Sequence, residues 1–226
     1  LIPTNGIGFV SLFDAEKQIS REYQILSETY SLSYKIPGST LFRGQFSFED
    51  ESFNGQFRIP KDISYSESPS KLIIYLHDRE NEMAGSIEDL FLVGGSDSVD
   101  FFGPIITFET LEGIRLEDGD HFSENNPIII RISDPLGINL TNETGHEILI
   151  HDNNNNTDLN YTDSFIYDEN SITTGKITYL SKEKNIDLEI KAWDNANNPS
   201  SKQINLYAQD NTRLKINNAY NFPNPF

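Results

Sequence analysis

Alternation of apolar and polar residues with a period of two most limits what this chain can fold into. Tyr30, Leu32, Tyr34 and Ile36 alternate with Ser31, Ser33 and Lys35, and Phe42, Gly44, Phe46 and Phe48 repeat the pattern. Successive strand side chains point to opposite faces, so each run reads as a half-buried strand. Asn54-Gly55 supplies a turn that tolerates positive φ, Phe57 and Ile59 begin a return strand, and Pro60 ends it. The apolar run Leu72 to Leu76 is expected to be a central strand buried on both faces, and Phe91-Leu92-Val93 to close the set. Gly94 to Asp97 then reads as a linker. Glu16 to Glu28 fits two periods: Ile19, Tyr23 and Leu26 have helical spacing, while Tyr23 and Ile25 suit a strand. Its neighbours favour strand or irregular structure.

A second unit begins near Gly103-Pro104. Ile105 to Phe108, Ile128 to Ile132, Ile148 to Ile150, Gly175 to Leu180, Ile186 to Trp193 and Gln203 to Tyr207 are its expected strands, separated by turn-rich segments. Short strands at this spacing are the footprint of an immunoglobulin-like sandwich, with Trp193 in its packing. The expected fold class is therefore all-β: tandem β-sandwich domains over 1–97 and 98–213, the second immunoglobulin-like, then a Pro-stiffened connector over 214–226. Composition agrees, since 15 Phe and 10 Tyr stand against one Met and one Trp, and aromatic rings suit pleated surfaces.

The net charge of −18 repels phosphate backbones and anionic lipid heads, which argues against nucleic-acid and membrane-surface partners. No stretch approaches the roughly 18 apolar residues of a membrane span. The absence of cysteine removes thiol nucleophiles and Cys-ligated zinc. His77, His121, His146 and His151 occur without a G-x-S-x-G elbow or an H-E-x-x-H helix. No catalytic, cofactor or metal residue is assigned.

Calcium is the one ion worth weighing. Asp152, Asn154, Asn156 and Asp158 place oxygens at alternate positions, followed by Asp163 at an EF-hand-like offset, but Thr157 stands where the sharp bend needs Gly. An Asn-rich hairpin loop is the plainer account. Asp134 and Asp194 follow strands, where they are expected to cap turns.

The chain ends Asn221-Phe222-Pro223-Asn224-Pro225-Phe226, a stiff extended peptide because each Pro restricts itself and the residue before it. This hexapeptide resembles the start of the sorting domain of cargo of the type IX secretion system, with Phe222 where Tyr is usual. Longer stretches add to it: Gly44-Gln45-Phe46 through Phe57-Arg58-Ile59-Pro60-Lys61-Asp62-Ile63, Phe91-Leu92-Val93-Gly94-Gly95 in the place of the family's linker, Ser133-Asp134 through Gly137-Ile138-Asn139 with Gly145-His146-Glu147-Ile148, and Lys191-Ala192-Trp193-Asp194 with Asn197-Asn198. Together they resemble gingipain-type cysteine peptidases, most of all the sortase of that secretion system, over nearly the whole chain.

The resemblance implies a placement behind a cysteine peptidase domain and before the sorting domain, in a protein at the outer-membrane surface of a Gram-negative bacterium or outside the cell. The chain itself is then expected to be a non-catalytic spacer and docking unit. Its partners would be the parent's own peptidase and sorting domains and secretion components. The rival expectation is a calcium-supported module binding carbohydrate or lipopolysaccharide.

Overall fold

The structure, a computed structural model, describes residues 5–49, 55–64, 67–92, 100–124, 126–181 and 183–209. Within them the chain is all-β, with one 3-10 turn at Thr162–Ser164. The first 92 residues give β1 (Gly6–Phe13), β2 (Lys17–Ile25), β3 (Glu28–Ile36), β4 (Thr40–Phe48), β5 (Ser70–His77) and β6 (Glu82–Leu90). Next come β7 (Ile105–Glu109), β8 (Arg115–Leu116), β9 (His121–Ser123), β10 (Ile128–Ser133) and β11 (Leu149–Asp152). The set ends with β12 (Thr157–Asn160), β13 (Ile166–Tyr167), β14 (Thr174–Tyr179), β15 (Asn185–Trp193) and β16 (Pro199–Gln209).

Two sheets pack around one core. A nine-stranded sheet runs β6-β5-β1-β4-β13-β14-β10-β7-β8, and a five-stranded sheet runs β12-β11-β15-β16-β9. The alternation that predicted β15 is visible in burial: Ile186, Leu188, Ile190 and Ala192 are buried between less buried neighbours. They share the core with Ile130 and Ile132 of β10, Ile177 of β14 and Leu206 of β16. Apolar rows from two facing sheets are what a sandwich requires. The outward-facing Arg131 of β10 is pinned by Glu109 and Asp168.

The larger sheet continues past the expected boundary at residue 97. Strands β1, β4, β5 and β6 join the rest through one parallel bridge, Gly44 to Tyr167. Glycine at that point is required by packing. A Cβ on Gly44 would lie 2.7 Å from the Phe42 ring, which stacks between Phe57 and Tyr167 at centroid distances of 5.1 and 4.8 Å.

Several expectations need correction. Tyr30 to Ile36 does form a strand, but every residue of β3 is exposed, because among the described residues its only partner is β2 and no layer covers the pair. Phe57 and Ile59 form no return strand. Their segment instead gives its backbone to the second unit, with Lys61 N–H donating to Asn195 O at 3.0 Å. Leu72 to Leu76 lies in β5 but is only partly buried, and on one side, with Ile73 and Tyr75 facing solvent. The closing strand is β6, which ends at Leu90, so Phe91 and Leu92 follow it. The linker Gly94 to Asp97 and the terminal residues Asn221, Phe222, Pro223, Asn224, Pro225 and Phe226 lie outside the described residues.

Candidate functional site

The undecided segment at Glu16 to Glu28 resolves into half of a hairpin. Strands β2 and β3 pair in unbroken register from Lys17–Ile36 to Ile25–Glu28. Residues opposite one another share a face, which sorts the ribbon cleanly. One face carries Ile19, Tyr23, Ile25, Tyr30, Leu32, Tyr34 and Ile36, with Arg21 at mid-ribbon and Lys17 and Glu28 at its two ends, and the Tyr23 and Tyr30 rings stack at 5.7 Å. The other face is polar throughout, from Gln18 and Lys35 to Gln24 and Thr29. An isolated two-stranded ribbon is marginal in water, and an apolar face left in solvent is a liability. This one stays exposed, with Leu32 half accessible and the tip residue Leu26 95% so.

The tip is also strained. Leu26 and Ser27 have φ of 49° and 73°, the pattern of a type I′ turn usually supplied by Asn and Gly. A bulky residue in this region is unfavourable and points to a constraint other than stability.

The hairpin base is fixed. Asp14 N–H donates to Ser39 O at 2.8 Å, and the Asp14 carboxylate receives both Ser64 N–H and Ser64 Oγ–H at 2.6 Å. Lys17 Nζ reaches Glu143 at 2.6 Å, a hydrogen bond that, with the lysine's charge, holds the Glu143 carboxyl below its ordinary range. Gly38 has no room for a side chain, since a Cβ would fall 2.2 Å from Asp14 O. Gly38→Ala is therefore expected to cost about 1–2 kcal/mol by forcing the backbone apart, read as a lower urea midpoint. Lys17→Ala, breaking a half-exposed pair, should cost under about 1 kcal/mol in the same assay.

A second assembly lies where the 57–64 segment meets the ends of the sandwich loops. Asp62 sits at its centre. Its carboxylate accepts Asn139 Nδ2 at 2.7 Å and Asn197 Nδ2 at 2.6 Å, and pairs with His146 Nδ1. Burial pushes the Asp62 carboxyl up, but the donors Asn139, His146 and Asn197 together outweigh it and hold the group below 3.8. Asn195 Nδ2 donates to Leu136 O and Arg58 O, tying the same segment to both turns. The His146 ring lies 4.4 Å from that of Trp193, over which Lys191 Nζ sits at 4.9 Å.

Three of the internal stretches that carried the family resemblance meet here. Lys61 and Asp62, Asn139 with His146, and Trp193 with Asn197 are far apart in sequence and adjacent in space. Their chemistry is that of a clamp. Nearby hydroxyls are committed elsewhere, with Ser39 on Glu143, Ser64 on Asp14 and Thr141 on Asn139. His121 packs against Tyr207, and His151 pairs with Asp158.

Beside the clamp, Asp100, Asp134 and Asp194 bring carboxylate oxygens within 4.8 Å of one another. Both turn-capping expectations hold: Asp134 accepts Leu136 N–H at 2.7 Å, and Asp194 accepts Ala196 and Asn198 N–H at 2.9 and 2.6 Å. What sequence reasoning missed is that the caps converge, because Asp100 lies far upstream and no spacing rule links it to them. Burial, then the charges of Asp194 and Asp100, raise the Asp134 carboxyl to about 6 despite the Leu136 bond. Oxygens at this spacing suit a shared proton or a hard cation. The Asp152 to Asp158 loop does not gather its carboxylates. Asp152 caps its own turn through Asn154 N–H, Asp158 turns to His151 and Asp163 to Arg43.

No family model matches this chain, and none of the curated proteins does. Among solved structures it is similar to dimeric latent PorU from Porphyromonas gingivalis, at 19% identity and a TM-score of 0.44. The match covers 93% of this chain and 20% of that one. The chain thus spans about a fifth of the length of the protein it matches.

Proposed function

We propose that this chain is the non-catalytic β-module of a gingipain-like peptidase of the type IX secretion sortase kind. In this reading it holds the peptidase domain apart from the sorting domain at the outer-membrane surface, and docks through the β2–β3 hairpin. The division into sandwiches over 1–97 and 98–213 belongs to the same reading. The observation that carries it is the rigidly based hairpin, whose apolar face and strained leucine tip are left uncovered. Supporting it is the sequence resemblance, three of whose internal stretches come together in one clamp around Asp62.

The test is a double substitution, Tyr23→Ser with Leu32→Ser, made in this chain, which is then titrated with the separately produced peptidase domain. Both side chains face solvent, so stability should stay within about 0.5 kcal/mol of the original. Association with the peptidase domain, measured by calorimetric titration, should weaken at least about tenfold, as loss of an apolar anchor predicts. Unchanged association with unchanged folding would sink the docking role.

A further inference from the structure

The terminal Pro-rich peptide and one apolar groove are left unused by the hairpin and the clamp. The groove, about 390 Å³, opens on the apolar face of β4 and is walled by Val10, Phe42, Phe46, Phe57, Leu72 and Ile172. Gln56, Asn170 and Ser171 supply polar atoms along its edge. Among the described residues its lining contains no Asp, Glu, Lys or Arg, although such residues make up 23% of the chain. A partner with charged side chains would lose their hydration there without compensation.

The stretch Asn217 to Phe226, Asn-Asn-Ala-Tyr-Asn-Phe-Pro-Asn-Pro-Phe, is also uncharged. Its prolines favour the extended polyproline geometry, which loses little entropy on binding and docks in aromatic-lined grooves. Reach permits the contact within one chain. Strand β16 ends at Gln209, where Glu124 N–H bonds Gln209 O and the neighbouring Ala208 N–H bonds Lys184 O. Lys184 follows the end of β14 and Asn170 to Ile172 precede its start, and a strand of six residues spans roughly 20 Å. From Gln209 to Phe222 is 222 − 209 = 13 residues, able to extend about 45 Å.

We infer that the groove beside β4 is a binding site for the chain's own Phe222–Phe226 segment. The inference does not depend on the hairpin's role.

The experiment uses the full chain and a free peptide of the sequence Asn217–Phe226, followed by backbone amide NMR. With Phe222→Ala and Phe226→Ala together in the protein, the peptide should bind saturably, shifting amides of Phe42–Phe48 and Gly55–Phe57. The unaltered chain should bind it about tenfold or more weakly, because the tethered copy competes at high effective concentration. Gln56 is exposed, so Gln56→Glu should leave the melting temperature unchanged while its charge weakens peptide binding several-fold. Absence of saturable binding, equal binding to both proteins, shifts elsewhere, or indifference to Gln56→Glu would each overturn the assignment. Shifts between the two proteins that grow with protein concentration overturn its intramolecular form.

Discussion

Asp62→Ala is expected to lower the stability of the chain by about 2–4 kcal/mol, because it removes an ionised acceptor and strands its donors. Three groups from the second unit meet this one carboxylate, and Asn139 and Asn197 lose a partner on a largely enclosed surface. The substitution should also uncouple the 57–64 segment, so that amides of Lys61 and Asn195 exchange faster with solvent than the core of β10. The pH dependence has a definite sign. Asp62 is held below 3.8 in the folded chain, so its contribution is fully present above that value and fades as pH falls through the folded pKa. Urea titrations across the acid range should show the original chain losing part of its advantage over Asp62→Ala below about pH 4. Equal acid sensitivity of the two proteins, or a stability difference below about 0.5 kcal/mol at neutral pH, would remove the clamp from the account.

Periodicity reached the sandwich because its strands obey a rule local to each segment. In β15, Ile186, Leu188, Ile190 and Ala192 alternate and are buried as the pattern requires. The same rule located β3 but misjudged its surroundings. Whether Leu32 faces a core or water depends on whether a second layer exists, and alternation carries no information about that layer. β2 was obscured by its turn, since Leu26-Ser27 lacks the glycine or asparagine that marks a hairpin. β1 and β6 contain glycines at Gly6, Gly8 and Gly85, which dilute the apolar signal.

The clamp was half legible. Its residues stood out as parts of a family pattern, yet their mutual approach depends on strand order. The β13–β4 bridge and the bond from Lys61 to Asn195 both join residues more than 120 positions apart. Asp134 and Asp194 were recognised as caps because an Asx turn is local. Their convergence with Asp100 is a tertiary fact. It gives these two neighbouring acidic centres opposite responses to pH.

Asp134→Asn is accordingly expected to stabilise the chain at neutral pH in the presence of chelator. The Asp134 side chain is buried and its carboxyl is raised to about 6, so the folded chain holds a proton that the unfolded chain releases near 3.8. Stability therefore falls as pH rises between those values and stays reduced above them, by up to about 3 kcal/mol. Asparagine keeps an oxygen for Leu136 N–H but carries no charge to set against Asp194 and Asp100. The variant should melt higher than the original chain at about pH 7.5, and the two should converge below about pH 4. A hard cation shared by the three carboxylates has the reverse effect, since it favours the ionised form and loses a ligand in the variant. Repeating the melts with millimolar calcium separates the cases. If the original chain gains stability and overtakes Asp134→Asn, the cluster is a cation site; if calcium changes neither protein, it is a shared-proton site. A variant that melts lower at neutral pH even in chelator would mean that the three carboxylates are not in electrostatic conflict at all.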